Sequence, residues 1–423
     1  MTTQGDGAPG RAVSAFSAIA IAVVATLGLL YIVSQFLRNS VGVIAPNLAA
    51  EVALSPMQLG LLSSIYFFVF AATQLPLGVA LDRFGPRNCM LVSVSFTVAG
   101  CVMFALAASA EGLVAGRALL GFGTASFLMA PVALYARWFP PTRFSTMSGI
   151  HLGIGSLGAL FATAPFAYAA ASFGWRASFI GVAALTLVIG VLVWLIVSDD
   201  PPGVTTPPRR ETLRESVAGI WAVIRTPSIG RIFFVQLGSY PSFLLVIGLW
   251  GGPYLTHIHG YDLTGRGEVL FMAAIAQVVG SFVWGPADRV FGRYKAPILI
   301  GASGSFTGLV LLAAFGSVSM PAVIVAFLLI GFSTGMTSVV MAHARSLVPP
   351  HLLGRTITLI NIGTMGGGFL VQFVSGAVIG LFPASDGSYP LDAYRLVFGL
   401  QAALVLAGAI AYFGSRDSYL DKK

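Results

Sequence analysis

A few polar side chains sit inside long apolar stretches, and their chemistry sets the first question. Arg38 ends one such stretch, Arg117 lies within another and His151 within a third. A guanidinium is always charged and presents a planar fork of N–H donors that fits a carboxylate or phosphate. His151 is the clearly mid-stretch group whose ordinary titration falls near neutral pH. Each also has a plainer placement. Arg38 can sit at an outer interface, and Arg117 can snorkel to the lipid boundary. Glu111, six residues before Arg117, would have to fold back to pair with it. His151 can pack between helices against a backbone carbonyl. Set against these cations, all 15 Asp and Glu residues fall in connections, tails or stretch ends. Fixed positive charge in a low dielectric, without a counter-charge, favours an anion.

Other chemistries find no support. No nucleophile, base and metal set converges in the sequence, so an enzyme is not expected. Cys89 and Cys101 are 12 residues apart in one apolar stretch. On a helix that is about 18 Å, beyond disulfide reach. There is no metal-ligand spacing and no Walker pattern, so no cofactor is expected.

The elements that carry these residues follow from composition. Apolar residues make up 57% of the 423 residues and charged residues 9%, against about 25% charged in a soluble domain. A spanning helix takes roughly 20 apolar residues. The sequence therefore predicts an all-α membrane protein with twelve transmembrane helices, at 16–44, 56–80, 89–109, 112–138, 144–170, 176–198, 229–256, 265–287, 296–316, 320–344, 354–382 and 393–414. The polar start, Met1 to Arg11, leads into a stretch too long for a signal-peptide core, which reads as an uncleaved first helix.

Net charge is +8, but its placement argues against nucleic acid. Basic residues cluster in alternate connections: Arg83 and Arg87; Arg137 and Arg143; Arg209, Arg210 and Arg214; Arg289, Arg293 and Lys295; Arg345 and Arg355; Arg416, Lys422 and Lys423. The others carry Glu51, Glu111, Asp262, Glu268, Asp386 and Asp392. This positive-inside pattern puts both termini in the cytoplasm of a bacterial-type inner membrane.

One connection is long. Asp199 to Ser228, with Asp199-Asp200-Pro201-Pro202, Pro207-Pro208 and the charges Arg209 to Arg214, is excluded from the bilayer by proline and charge. The expected organisation is an N-terminal six-helix bundle (1–198), a cytoplasmic linker (199–228) and a C-terminal six-helix bundle (229–423). The halves repeat. Asp82-Arg83-Phe84-Gly85 returns as Asp288-Arg289-Val290-Phe291-Gly292, 206 residues on. Gly121-Phe122 with Thr124 returns as Gly331-Phe332 with Thr334, and Ala136-Arg137 with Pro140-Pro141 as Ala344-Arg345 with Pro349-Pro350. Ile150-His151-Leu152-Gly153 matches Ile360-Asn361-Ile362-Gly363, and Trp175-Arg176 with Phe179 matches Tyr394-Arg395 with Phe398. Five pairs in one order read as two pseudo-symmetric bundles.

Over essentially its whole length the chain resembles the major facilitator superfamily. The resemblance rests on Gly78-x-x-x-Asp82-Arg83-x-Gly85-x-Arg87 and its irregular second copy around Asp288, Arg289 and Arg293, in which Gly285 sits one residue closer to the aspartate. It implies a gate: Gly85 turns tightly, and Asp82 accepts charge-assisted hydrogen bonds from the opposite half, holding the cytoplasmic side closed. Arg117-x-x-x-Gly121-x-Gly123 resembles a family motif near the proton-coupling machinery. Phe36-Leu37-Arg38-Asn39-Ser40 with Ala45-Pro46-Asn47-Leu48 looks like the end of the first span in the organophosphate and anion-symporter branches, where the matching arginine binds an anion in the central cavity. Ala45-Pro46-Asn47-Leu48 aligns with Gly252-Pro253-Tyr254-Leu255, so Arg38 corresponds to Leu245. The organophosphate carriers' second arginine is missing, and one arginine suggests one negative charge: a monocarboxylate, a zwitterion or a small monovalent anion. Nitrate carriers match less well, since their arginines in spans two and eight are missing.

The resemblance thus implies a secondary transporter of a small organic anion, coupled to protons or working by exchange, and acting as a monomer. Its candidate lining is Arg38, His151, Asn361, Tyr66, Gln74, Tyr240, Trp250 and Gln372. The alternatives are an efflux antiporter, whose motif is reduced here to Ala164-Pro165, and a non-transporting sensor on the same fold.

Overall fold

The computed structural model describes residues 18–201, 213–315, 319–349, 352–385 and 387–419. The polar N-terminal stretch, Pro202, Pro207-Pro208, Arg209, Arg210, Pro350, Asp386, Lys422 and Lys423 lie outside the described residues. A chain in hydrocarbon must satisfy its own backbone, and long apolar stretches do so as helices. The first half contains α1 (Ala18–Val52), α2 (Pro56–Phe84), α3 (Pro86–Leu106), α4 (Ala110–Thr124) leading into α5 (Ser126–Trp138), α6 (Pro141–Phe161) leading into α7 (Ala164–Phe173), and α8 (Trp175–Ile196). A short α9 (Leu213–Ile224) lies in the linker and packs against both halves. The second half contains α10 (Ile229–Leu245), which passes through a π-helical turn into α11 (Gly251–His259), then α12 (Leu263–Trp284), a short α13 (Ala287–Phe291), α14 (Lys295–Phe315), α15 (Met320–Thr334) with α16 (Thr337–Ser346), α17 (Leu353–Ile379) and α18 (Leu391–Phe413). Among the described residues eleven helices are long and apolar enough to cross a membrane, and the bent pair α6–α7, taken as one span, brings the number to twelve.

Two spans depart from expectation. The first does not stop at residue 44 but runs through Pro46 to Val52. A proline without an N–H leaves the carbonyl four residues back, here Gly42, without its helical partner. That carbonyl instead faces α11, where a Cβ on Gly252 would collide with it. The fifth span extends to Phe173 and bends by 43° between Phe161 and Ala164. Thr163 leaves helical geometry there (φ −108, ψ −113), and Pro165 opens the next segment.

The molecule has an acidic end, carrying Glu51, Asp262, Glu268 and Asp392, and a basic end, carrying Arg83, Arg87, Arg137, Arg289, Arg293 and Arg345. The halves meet closely at the acidic end. There α1 touches the π turn and α11 at Gly42, α2 touches α17 where Gly60 lies against Gly376, and α7 touches α12 where Gly267 lies against Ala164 and Ala167. Tyr168 of α7 donates to Glu268 of α12 across the same seam.

Candidate functional site

The site is built on one face of α1. Tyr31, Gln35 and Arg38 are spaced by four and three residues, which stacks them on one side of a helix. Arg38 is 4% exposed, so it is not at an interface. Its guanidinium lies over the Phe70 ring of α2, 5.1 Å from the centroid. Its electrostatic neighbours are the hydroxyls of Tyr66, Tyr240 and Tyr31, from α2, α10 and α1. Among the described residues no carboxylate pairs with it, and its Nε has no partner. Ser34 Oγ, Gln35 Oε1, Ser63 Oγ and Gln74 Oε1, on the same two helices, are also buried without partners. Each such group carries a desolvation cost that a bound molecule would relieve.

Arg117 holds this face in place. It is fully buried, so it does not snorkel. Its Nη1 donates to Leu37 O at 2.6 Å, beside Arg38, and its guanidinium sits 4.6 Å over the Tyr66 ring. The Tyr66 hydroxyl in turn contacts Thr124 Oγ1 at 2.6 Å and Ser34 O at 3.4 Å. Tyr66 therefore lies between the two arginines.

His151 differs from the cavity-facing expectation. It is fully buried. Its Nε2 faces Phe127 O at 3.3 Å, which makes Nε2–H the donor, and its Nδ1 lies 3.2 Å from the Tyr135 hydroxyl. The ring stacks on Tyr31 at 4.8 Å. With both nitrogens engaged by its own half, it buttresses Tyr31 rather than opening to a ligand.

The second half contributes neutral groups. On α10, Gln236 Nε2 donates to Thr364 Oγ1 at 3.0 Å and Thr337 Oγ1 at 3.3 Å, while its Oε1 and the Ser239 hydroxyl have no partner. Tyr240 continues that face. On α17 the half-buried Asn361 leaves its Nδ2 unpartnered, one turn before Thr364. Trp250 Nε1 donates to Ser375 Oγ at 2.7 Å, while Gln372 Nε2 donates to Leu244 O at 3.0 Å and leaves its Oε1 without a partner. The structure thus gathers Arg38, Tyr66 and Tyr240, with Gln74 on α2. Tyr31, Gln236, Thr337 and Thr364 were not read from the sequence, although Tyr31 and Gln236 precede Arg38 and Tyr240 at helical spacing.

At the basic end the gate motif is tied into its own half. Gly85 has φ 82, and a Cβ there would collide with Asp199. Asp199 Oδ1 accepts the Arg87 backbone N–H at 2.7 Å, and Arg87 Nη2 donates to Trp194 O at 2.6 Å. The second half repeats this device, with Asp417 accepting the N–H groups of Tyr294 and Lys295 at 3.1 Å each. Asp82 and Asp288 are half-buried, whereas Arg83, Arg289 and Arg293 are exposed. Among the described residues no cluster could hold a metal ion.

The family model described as Major Facilitator Superfamily matches residues 27–265 and 232–423, two overlapping matches that together cover most of the chain. The chain belongs to the major facilitator superfamily. It is a membrane transporter and not an enzyme. Among its relatives, the nitrate/nitrite transporter NrtP of Picosynechococcus sp. is 29% identical over 189 residues, 38% of this chain and 35% of that one. The probable sulfoacetate transporter SauU of Cupriavidus necator is 26% identical over 408 residues, 92% of each chain. The fold is that of a bacterial homologue of the human lysosomal transporter Spinster in an inward-facing, unoccupied conformation, with a TM-score of 0.75 at 17% identity over 94% of this chain and 97% of that one.

Proposed function

We propose that the transporter carries a small organic anion by alternating access, with Arg38 holding the anionic group. The observation that supports this most is a buried guanidinium, ringed by Tyr31, Tyr66 and Tyr240, with an unpartnered Nε and no carboxylate beside it. The names of NrtP and SauU, an inorganic and an organic anion carrier, agree with that polarity. In this reading Gln236, Ser239 and Asn361 hydrogen-bond the rest of the substrate. The basic end faces the cytoplasm, so contact at the acidic end makes this the inward-facing state. Asp82, Arg83, Gly85 and Arg87, with Asp288, Arg289 and Arg293, close the basic end in the other state. In this state both nitrogens of His151 are hydrogen-bonded within its own half, which favours a packing role, and the coupling proton, where one is used, travels with the substrate.

The test is binding by reconstituted protein of acetate, lactate, nitrate, sulfoacetate and glucuronate. A charge-assisted hydrogen bond contributes about 1.5–3 kcal/mol, so Arg38→Gln is expected to weaken the bound anions by roughly ten- to hundredfold. Arg38→Lys keeps the charge, loses the fork and gives an intermediate loss. An unchanged dissociation constant in Arg38→Gln overturns the reading.

A further inference from the structure

A second cation lies at the acidic end, and its partners are set to change. Arg266 stands in the first turn of α12 and is 3% exposed. A cation there opposes the helix dipole and bears the desolvation cost of burial. No carboxylate among the described residues forms an ion pair with it. The acids nearby are committed. Glu51 binds Trp175 and Arg176, Asp262 accepts from Gly265 N–H and the Thr264 hydroxyl, and Glu268 accepts from Tyr168. Arg266 instead donates to three neutral oxygens: Nε to Val43 O at 2.6 Å, Nη1 to Thr256 Oγ1 at 2.9 Å, and Nη2 to Asn47 Oδ1.

Two of those oxygens belong to α1 of the opposite half, on either side of Pro46, where the helix's own bonding is interrupted. Thr256 belongs to Arg266's own half. When the halves part at this end, α1 withdraws Val43 and Asn47 together. The guanidinium then keeps Thr256 alone and faces the opened mouth. The charges described at that end are mixed: Arg176 and Arg395 are there too, but they are paired with Glu51 and Asp392, so a guanidinium released at the mouth is a cation without a carboxylate partner. Along α1, Arg38 lies five residues, or about 7.5 Å, below Val43.

We propose that Arg266 is a state-dependent anion site: it latches α1 in the structure seen here and, once the acidic end opens, takes the anionic group of the entering substrate before Arg38 does. This rests on the anion-carrier reading above and adds a second, one-sided contact. A latch alone shifts the balance of states, which lowers the KM from the acidic side and raises it from the basic side; an entry site raises the KM from the acidic side.

The experiment uses full-length protein reconstituted in one orientation, with the same anion panel offered from the acidic or the basic side. Arg266→Gln keeps a hydrogen-bond donor and removes the charge. It is expected to raise the KM from the acidic side by about tenfold or more relative to Asn47→Ala, which loses only the latch, and Arg266→Lys is expected to recover much of the loss. Asn47→Ala weakens the latch and leaves the charge. It is expected to increase labelling of an Ala167→Cys reporter by an impermeant maleimide without raising the acidic-side KM. An acidic-side KM that falls or stays unchanged in Arg266→Gln overturns the entry site. Unchanged labelling in Asn47→Ala overturns the latch. Arg38 separates the two readings: a normal Arg38→Gln protein removes the anion reading, whereas a defective Arg38→Gln with no rise of the acidic-side KM in Arg266→Gln removes only this proposal.

Discussion

At mid-membrane the first half buries two guanidiniums, Arg38 and Arg117, while the second half holds Leu245 and Phe327 at the matching repeat positions, both buried and apolar. Around them the second half places amides and hydroxyls: Gln236, Ser239, Thr337, Asn361 and Thr364. At the basic end the halves share one device. Asp199 and Asp417, 218 residues apart, each receive backbone N–H groups at the start of the third helix of their half. The repeat has kept the scaffold contacts and let the centre diverge. A scaffold contact serves both halves alike, whereas a ligand with one charged pole needs a cation on one side and neutral partners on the other.

The sharpest way to break this comparison is across the centre. Arg38→Gln, with its expected ten- to hundredfold loss of anion affinity, should exceed any substitution among the neutral central groups of the second half. Arg117 should behave differently from Arg38 although both are buried cations. Arg117→Met removes a hydrogen bond from a charged donor to Leu37 O, worth about 1.5–3 kcal/mol, although Ser40 Oγ still donates to that carbonyl at 3.2 Å. The expected result is a lowered melting temperature in detergent, with near-normal KM in the protein that folds. A normal melting temperature with lost affinity would move Arg117 into the binding site.

The cap aspartates test the symmetric part. Asp199→Ala and Asp417→Ala each remove a side-chain cap, worth about 0.5–2 kcal/mol. The two should lower the melting temperature by similar amounts. Unequal losses would show that the halves differ at the basic end too. The smallest effect is expected of Gln236→Leu, which removes one neutral hydrogen-bonding group worth about 0.5–1.5 kcal/mol, a two- to tenfold rise in KM for a hydroxylated anion such as glucuronate. It should leave acetate and nitrate unaffected, since they are too small to reach both halves. An equal rise for acetate would place Gln236 in the charge site.

Much of the site was readable in advance because a charge in an apolar helix is conspicuous. Arg38 and Arg117 could be found by inspection, and Tyr66 and Tyr240 as polar groups within apolar stretches. Tyr31 and Gln236 carry the same helical spacing but no charge, so they do not stand out from packing residues. His151 has the chemistry of a coupling group, and no sequence feature announces that Tyr135 and Phe127 occupy both its nitrogens. Arg266 lies at the start of a predicted stretch, where its charge does not stand out from the polar connection before it; packing supplies its partners, two of them from α1.

The sequence by itself determined the helices, the count of crossings, the repeat and the sign of the central charge. Those follow from local hydrophobicity and from residue types, which any environment must respect. Tertiary structure decided which polar groups have partners, because partnership depends on distances between helices remote in the chain. Leu37 O meets Arg117, Val43 O meets Arg266 and Glu268 meets Tyr168 only once the bundles pack. It also decided which end is sealed. That depends on where the halves touch, and the repeat, being alike in both halves, leaves it open.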